Sequence, residues 1–277
     1  MLRKTPASFL RSYSIRPSKS LGQNFLNEPH LMDKLIDALE LYPDEDVLEI
    51  GSGFGFMTHK IAQHALGVVA VEKDKKLLDI AKKEYGLQKN IQFVQGDFLK
   101  INLPATVKDC HLPMKMIGNI PYNISSQILF QLLDNHFLFS AGVLTLQKEV
   151  AARLTAKAGT KDYGILAILL ATRIACKKIF DIEPGSFIPP PKVTSTAVRL
   201  TFLKQSPHVI HNLKLFRQVV KEAFGTRRKT IQNALKKLLK NGRIKPWETA
   251  QIDPKLRPEQ IPIEGYVRLA NLLNTLL

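Results

Sequence analysis

The residue types best suited to chemistry lie in a polar turn and at three short apolar segments that end in acids or glycines. The turn is Asn119-Ile120-Pro121-Tyr122, continuing as Asn123-Ile124-Ser125-Ser126. An amide both accepts and donates hydrogen bonds, a proline stiffens the backbone beside it, and a tyrosine adds an aromatic face. That set makes a seat for a planar ring bearing an amine. Upstream, Gly51-Ser52-Gly53-Phe54-Gly55 follows one apolar segment, and Glu72 and Asp97 close the next two. Glycines let a backbone turn tightly and approach a ligand closely. A carboxylate about 20 positions further on suits the two hydroxyls of a ribose. The spacing Gly-x-Gly-x-Gly departs from the dinucleotide fingerprint. It favours a cofactor with a ribose and no pyrophosphate, such as S-adenosylmethionine, with Gly51, Gly53 and Glu72 as its contacts. The bland alternatives are solvated strand ends and an ordinary strand-to-helix turn.

These positions fall at the ends of regular elements. Asp46–Ile50, Val68–Val71, Ile91–Val94 and Met114–Gly118 are apolar runs of strand length, and helical spacing fills the gaps, as in Lys75–Glu84 and Ile128–Leu133. Strands alternating with helices imply a mostly parallel α/β sheet, which binds ligands at the carboxyl ends of its strands. Val143–Gln147, Cys176–Ile182 and Ser195–Phe202 complete the strands, with helices expected over Lys148–Lys157 and Ile165–Ala175. Between them Pro189-Pro190-Pro191 forces a stiff extended loop carrying Phe187. A boundary is expected near Lys204 to Pro207, followed by basic helices.

Of the 277 residues, 45% are hydrophobic and 23% charged, which is ordinary for a globular chain. No apolar run is long enough to span a membrane. Cys110 and Cys176 stand apart, as do the nearby pair His208 and His211, and none has the companions of a metal site. The net charge of +16 is unevenly placed. Residues 1–27 hold five Lys/Arg and no acid, and residues 205–277 hold 14 against five. Residues 28–204 are nearly balanced, with 21 basic and 19 acidic residues. A neutral body with basic ends suggests a catalytic core flanked by segments that grip a polyanion. Residues 1–18 read as a flexible basic arm, with an organelle-targeting segment as the alternative. In the C-terminal part Arg227, Arg228 and Lys229 precede a stripe of Ile231, Ala234, Leu235, Leu238 and Leu239. Lys236 and Lys237 fall largely on the opposite side.

Lys19–Leu26, Glu49–Gly55, Val71–Asp74, Asn119–Ser125, Phe187–Ser195 and Ala223–Leu235 together resemble the successive motifs of the small-subunit ribosomal RNA adenine N6-dimethyltransferases, the KsgA family of bacteria. The resemblance runs from about residue 17 to the C-terminus. It implies a Rossmann-like class I S-adenosylmethionine methyltransferase domain with a small all-helical C-terminal domain. The divisions are then an arm at 1–18, a methyltransferase domain at 19–204 and an RNA-binding domain at 205–277. It also implies cofactor contacts at Asn24, Leu26, Gly51, Glu72, Asp97 and Asn119. The catalytic turn would be Asn119 to Tyr122, acting on an adenine stacked by Tyr122 and Phe187 without a metal. The expected partner is small-subunit rRNA within an immature subunit, met by a cytoplasmic monomer. Three positions depart from the family pattern: Ile120 for leucine, Thr194 for aspartate, and Lys73 for an apolar residue. A large-subunit rRNA adenine methyltransferase of the resistance type remains a rival, as does a non-catalytic assembly or transcription factor on the same fold.

Overall fold

The computed structural model describes residues 4–242 and 244–276. Residues 1–3 of the expected arm and residues 243 and 277 of the expected C-terminal domain lie outside the described residues. In chain order the first half comprises α1 (Pro6–Ser12), β1 (Phe25–Leu26), α2 (Pro29–Asp37), β2 (Asp46–Ile50), α3 (Phe56–Ile61), β3 (Gly67–Glu72), α4 (Lys75–Tyr85), β4 (Ile91–Gln95), α5 (Leu103–Thr106), β5 (Met114–Asn119) and α6 (Ser125–Asp134). There follow β6 (Phe139–Gln147), α7 (Lys148–Leu154), α8 (Ile165–Leu170), β7 (Ile174–Ile182), β8 (Phe187–Ile188), β9 (Ser195–Phe202), α9 (Leu213–Gly225), α10 (Ile231–Ala234) and α11 (Ile263–Leu276).

Seven strands form one sheet in the order β4-β3-β2-β5-β6-β9-β7. From β4 to β6 neighbouring strands are parallel, and β9 pairs antiparallel with both β6 and β7. Central strands covered on both faces carry apolar side chains in succession. All five residues of β2 are accordingly buried. Strand order reverses between β2 and β5, and a crevice opens at such a switch point, at the carboxyl ends. The glycine run follows β2 and the polar turn follows β5, so both reach that crevice. A second, two-stranded sheet pairs β1 with β8, setting Phe25 opposite Ile188 and Leu26 opposite Phe187. It brings the Lys19–Leu26 segment and the Pro-rich loop together.

The chain divides into two compact units. The first holds the sheet, from the N-terminal part through Ala151 and again from Ile174 to Leu203. The second takes Ala152–Arg173 as well as the chain from Lys204 onward. The expected domain at 19–204 is therefore interrupted. The short apolar α8 packs on α9, with Tyr163, Phe224 and Tyr266 forming a chain of rings at 6.5 and 6.1 Å. Phe216, Val219, Val220 and Ala223 bury one stripe of α9. The helix expected to continue through Leu239 keeps α-helical form only over Ile231–Ala234, although Leu235 and Leu239 remain buried.

The arm also differs from expectation. Thr5 and Ser8 form a reciprocal cap, Pro6 opens α1, and Phe9 packs in a cluster with Phe54, Leu77 and Ile80. A buried phenylalanine outweighs the arm's charge and serine content, and Pro6–Ser12 within it form a docked helix. Lys4 pairs with Glu84 at 2.8 Å across the surface.

Candidate active site

Gly51 and Gly53 adopt φ of 76° and 56°, a left-handed conformation that costs other residues strain. They let the chain double back after β2, where the Gly51 and Ser52 amides donate to the Val71 carbonyl. Glu72 at the end of β3 then braces the loop. Its two oxygens accept from the Gly53 and Asp74 amides, both at 2.7 Å. Burial raises its pKa, while these amide donors oppose the rise. Each carboxylate oxygen retains a further lone pair for a ligand hydroxyl.

Asp97 follows β4 and accepts from the Leu99 amide at 3.1 Å. Its other oxygen meets the Lys73 ammonium at 3.0 Å, and that hydrogen bond is the main cause of its lowered pKa. Asn119, the last residue of β5, donates its side-chain amide to the Asn24 carbonyl at 2.8 Å. Because a carbonyl only accepts, the contact commits the nitrogen and leaves Oδ1 as the acceptor for an incoming group. Tyr122 is half-buried, and its hydroxyl lies 2.5 Å from the Ser195 hydroxyl at the start of β9. Its pKa is raised by burial.

Asn24, Leu26, Gly51, Gly53, Glu72, Asp97 and Asn119 line a single cleft together with Pro121. Ile120 and Tyr122 stand beside it in the chain, but Ile120 is buried, leaving only its backbone to act there. Phe187 corrects the expectation that it covers a base. Its strand pairing with Leu26 turns the ring into the core, where 1% of its surface is exposed. Arg227 differs too. Its guanidinium binds the Lys161 carbonyl and faces Glu259 at 3.6 Å within the second unit. Arg228, Lys229, Lys236 and Lys237 are exposed.

One residue of the cleft, Glu49, went unassigned in the sequence. It is 3% exposed, accepts from the Thr58 hydroxyl, and is pushed by burial to about 7. A carboxylate inside the otherwise apolar Val47–Ile50 run was its only signal.

The donors fit S-adenosylmethionine. A Cβ built on Gly51 would meet nothing nearer than the Asn119 carbonyl at 4.0 Å, so the backbone is open to a ligand there. The Ser52 hydroxyl is buried without a partner. Glu72 and Asp97 suit hydroxyl and amine donors and would repel a pyrophosphate. Among the described residues no group of three or more His, Cys, Asp or Glu could hold a metal ion. Cys110 and Cys176 are free thiols.

The reversed strand order, the glycine loop braced by a strand-end carboxylate and the polar turn across the switch point define a Rossmann-like class I methyltransferase domain. The chain belongs to the ribosomal RNA adenine dimethylase family, whose model matches residues 15–275. It is 38% identical to the ribosomal RNA small subunit methyltransferase A of Pseudomonas aeruginosa, over 94% of this chain and 96% of that one. Among solved structures it resembles a dimethyladenosine transferase from Plasmodium falciparum, at 26% identity and a TM-score of 0.76, covering 90% of this chain and 97% of that one. The 23S rRNA methyltransferase ErmE is similar at 25% identity and a TM-score of 0.68, over 91% of this chain and all of that one.

Proposed function

We propose that this chain transfers two methyl groups to N6 of each of two adjacent adenosines, in a loop near the 3′ end of small-subunit rRNA. S-adenosylmethionine supplies the methyl as an electrophile on a sulfonium and is left as S-adenosylhomocysteine. The observation that carries the reading is the Asn119 amide, held by the Asn24 carbonyl with Oδ1 left to accept.

An exocyclic amine is a weak nucleophile because its lone pair is delocalised into the ring. Asn119 Oδ1 and the Ile120 carbonyl accept its two hydrogens, favouring a pyramidal nitrogen whose lone pair points at the methyl. Pro121 fixes the turn. Tyr122 stacks on the base, worth about 1–3 kcal/mol, which offsets much of the few kcal/mol needed to extrude it. Alignment then supplies most of the rate, and no strong base is needed once the methylated nitrogen has become acidic.

The substrate is an immature small subunit met by a monomer, with Arg228, Lys229, Lys236 and Lys237 as phosphate contacts. The bacterial relative supports a cytoplasmic site of action. Identity of 38% to a small-subunit enzyme over 94% of the chain, and a TM-score of 0.76 to a dimethyladenosine transferase against 0.68 to ErmE, favour the small subunit. The intact carboxylate set favours catalysis over a purely structural factor.

The test is labelled-methyl transfer to purified small subunits lacking the modification, with methylated adenosines mapped in both ribosomal RNAs. Wild type should label two adjacent small-subunit adenosines, and Asn119→Ala should fall by at least about a hundredfold while still binding RNA. Methylation confined to large-subunit rRNA, or a fully active Asn119→Ala, would overturn the assignment.

A further inference from the structure

The glycine loop has few side chains with which to hold itself: of residues 51–55 only Ser52 and Phe54 carry one beyond hydrogen. Glu72 braces it through one amide, and Phe25 packs at a tilt against Phe54 with ring centroids 5.0 Å apart. Beside the Gly51 and Ser52 amides held by the Val71 carbonyl, further support comes from α1, which lies ahead of the residues matched by the family model. Phe9 of that helix is 5% exposed. Its ring lies 5.8 Å from Phe54, inside the loop, and 4.6 Å from Phe56, just beyond it. Pro6, the first residue of α1, is itself part of the cleft wall.

The helix is anchored at both ends. Before it, the Lys4 ammonium meets Glu84 Oε2 at 2.8 Å, and after it the Tyr13 hydroxyl donates to Glu84 Oε1 at 2.5 Å. The Ala7 amide donates to Asn27 Oδ1 at 3.1 Å, tying the helix to the segment after β1. Glu84 belongs to α4, the helix that follows the Glu72 strand. One carboxylate thus ties α1 to the element behind the expected ribose contact.

We infer that α1 is a wall of the cofactor cleft and that Phe9 is a positioning residue, holding the Gly51–Gly55 loop in its binding shape. The helix is a built part of the site, distinct in role from an arm that grips RNA. The inference rests on the S-adenosylmethionine reading, because the loop's shape matters only if a ligand lies on it.

Calorimetry with S-adenosylhomocysteine on the full chain tests it, alongside thermal melts of the unliganded protein and binding to an RNA hairpin bearing two adjacent adenosines. Phe9→Ala should bind S-adenosylhomocysteine about tenfold or more weakly below its melting range, and Phe9→Leu should recover most of that loss. Hairpin affinity should not change. If Phe9→Ala melts lower yet binds the ligand as wild type does, the residue is structural only and the inference fails. A matching fall in hairpin affinity would return α1 to an RNA-gripping role and equally overturn it. Should Phe9→Ala not fold, Tyr13→Phe decides through the outer anchor: a loss of about two- to fivefold supports the inference and unchanged affinity overturns it. Wild type failing to bind S-adenosylhomocysteine would instead sink the cofactor reading.

Discussion

The two sides of the switch point are built in opposite ways. On the β2–β3 side, Glu49 and Glu72 are buried, and both Glu72 oxygens accept from backbone amides. On the β5 side, Asn119 and Tyr122 are only part-buried, each held by a single side-chain contact. The difference suits the tasks proposed for them. A small cofactor repays a rigid, desolvated seat, because preorganisation lowers the cost of binding. A base delivered on a large RNA must enter and leave, and must return carrying one methyl group, so its seat is shallow and lightly tethered.

The largest test of that contrast removes the brace. Glu72→Ala deletes the acceptor of two amides together with the expected partner of two ribose hydroxyls. With each charge-assisted bond worth about 1.5–3 kcal/mol, S-adenosylhomocysteine affinity by calorimetry should drop about a hundredfold or more. A loss below threefold would mean that the loop holds its shape without Glu72, and the contrast would break.

Next comes the cost of burying Glu49. Its folded pKa of about 7 lies above the ordinary 4.5. Below 4.5 both folded and unfolded states are protonated and no penalty arises. As pH rises from there the unfolded chain ionises first, so stability falls until the folded group also ionises near 7. The shift corresponds to roughly 3 kcal/mol, and Glu72, raised in the same direction, adds to the same slope. Glu49→Gln keeps an acceptor for Thr58 and carries no charge. In urea unfolding without cofactor it should flatten the decline between pH 5 and 8 and exceed wild type at pH 8. An unchanged slope would show that Glu49 is solvated in the free protein.

What could be read from the sequence follows the same division. That Glu72, Asp97, Gly51 and Gly53 line one cleft was legible because strand-end acids and a glycine run are local signals, set by a period of two and a turn. Asn119 was legible as the close of an apolar run. Phe187 misled because its burial depends on pairing with Leu26, 161 positions away, and no local pattern encodes which way that pairing turns a ring. The attachment of Ala152–Arg173 to the C-terminal unit was hidden likewise, since α8 finds its apolar partner in α9 far along the chain. Phe9 was overlooked because two aromatics, Phe9 and Tyr13, in a short, basic, serine-rich stretch span only one helical turn and set no periodicity. Glu49 was visible as a charge in a buried run, but its shifted pKa is a property of the fold.

The smallest effect lies in the shallow half. Ser195 is fully buried, fixed on β9 opposite Gln147 of β6 and Ile182 of β7, while Tyr122 sits in a single helical turn with one strong contact, to Ser195. Tyr122→Phe keeps the aromatic face and loses one hydrogen bond, worth about 1 kcal/mol. Methyl transfer should therefore slow about fivefold, with S-adenosylhomocysteine affinity unchanged. Ser195→Ala should cost at least as much, because it leaves the tyrosine hydroxyl without its partner in a half-buried place. The double variant should cost little more than Ser195→Ala, since both substitutions break the same bond. Full activity in Tyr122→Phe would mean that Pro121 and the turn alone aim the ring. Additive losses would mean that Ser195 acts on the base site by a route other than Tyr122.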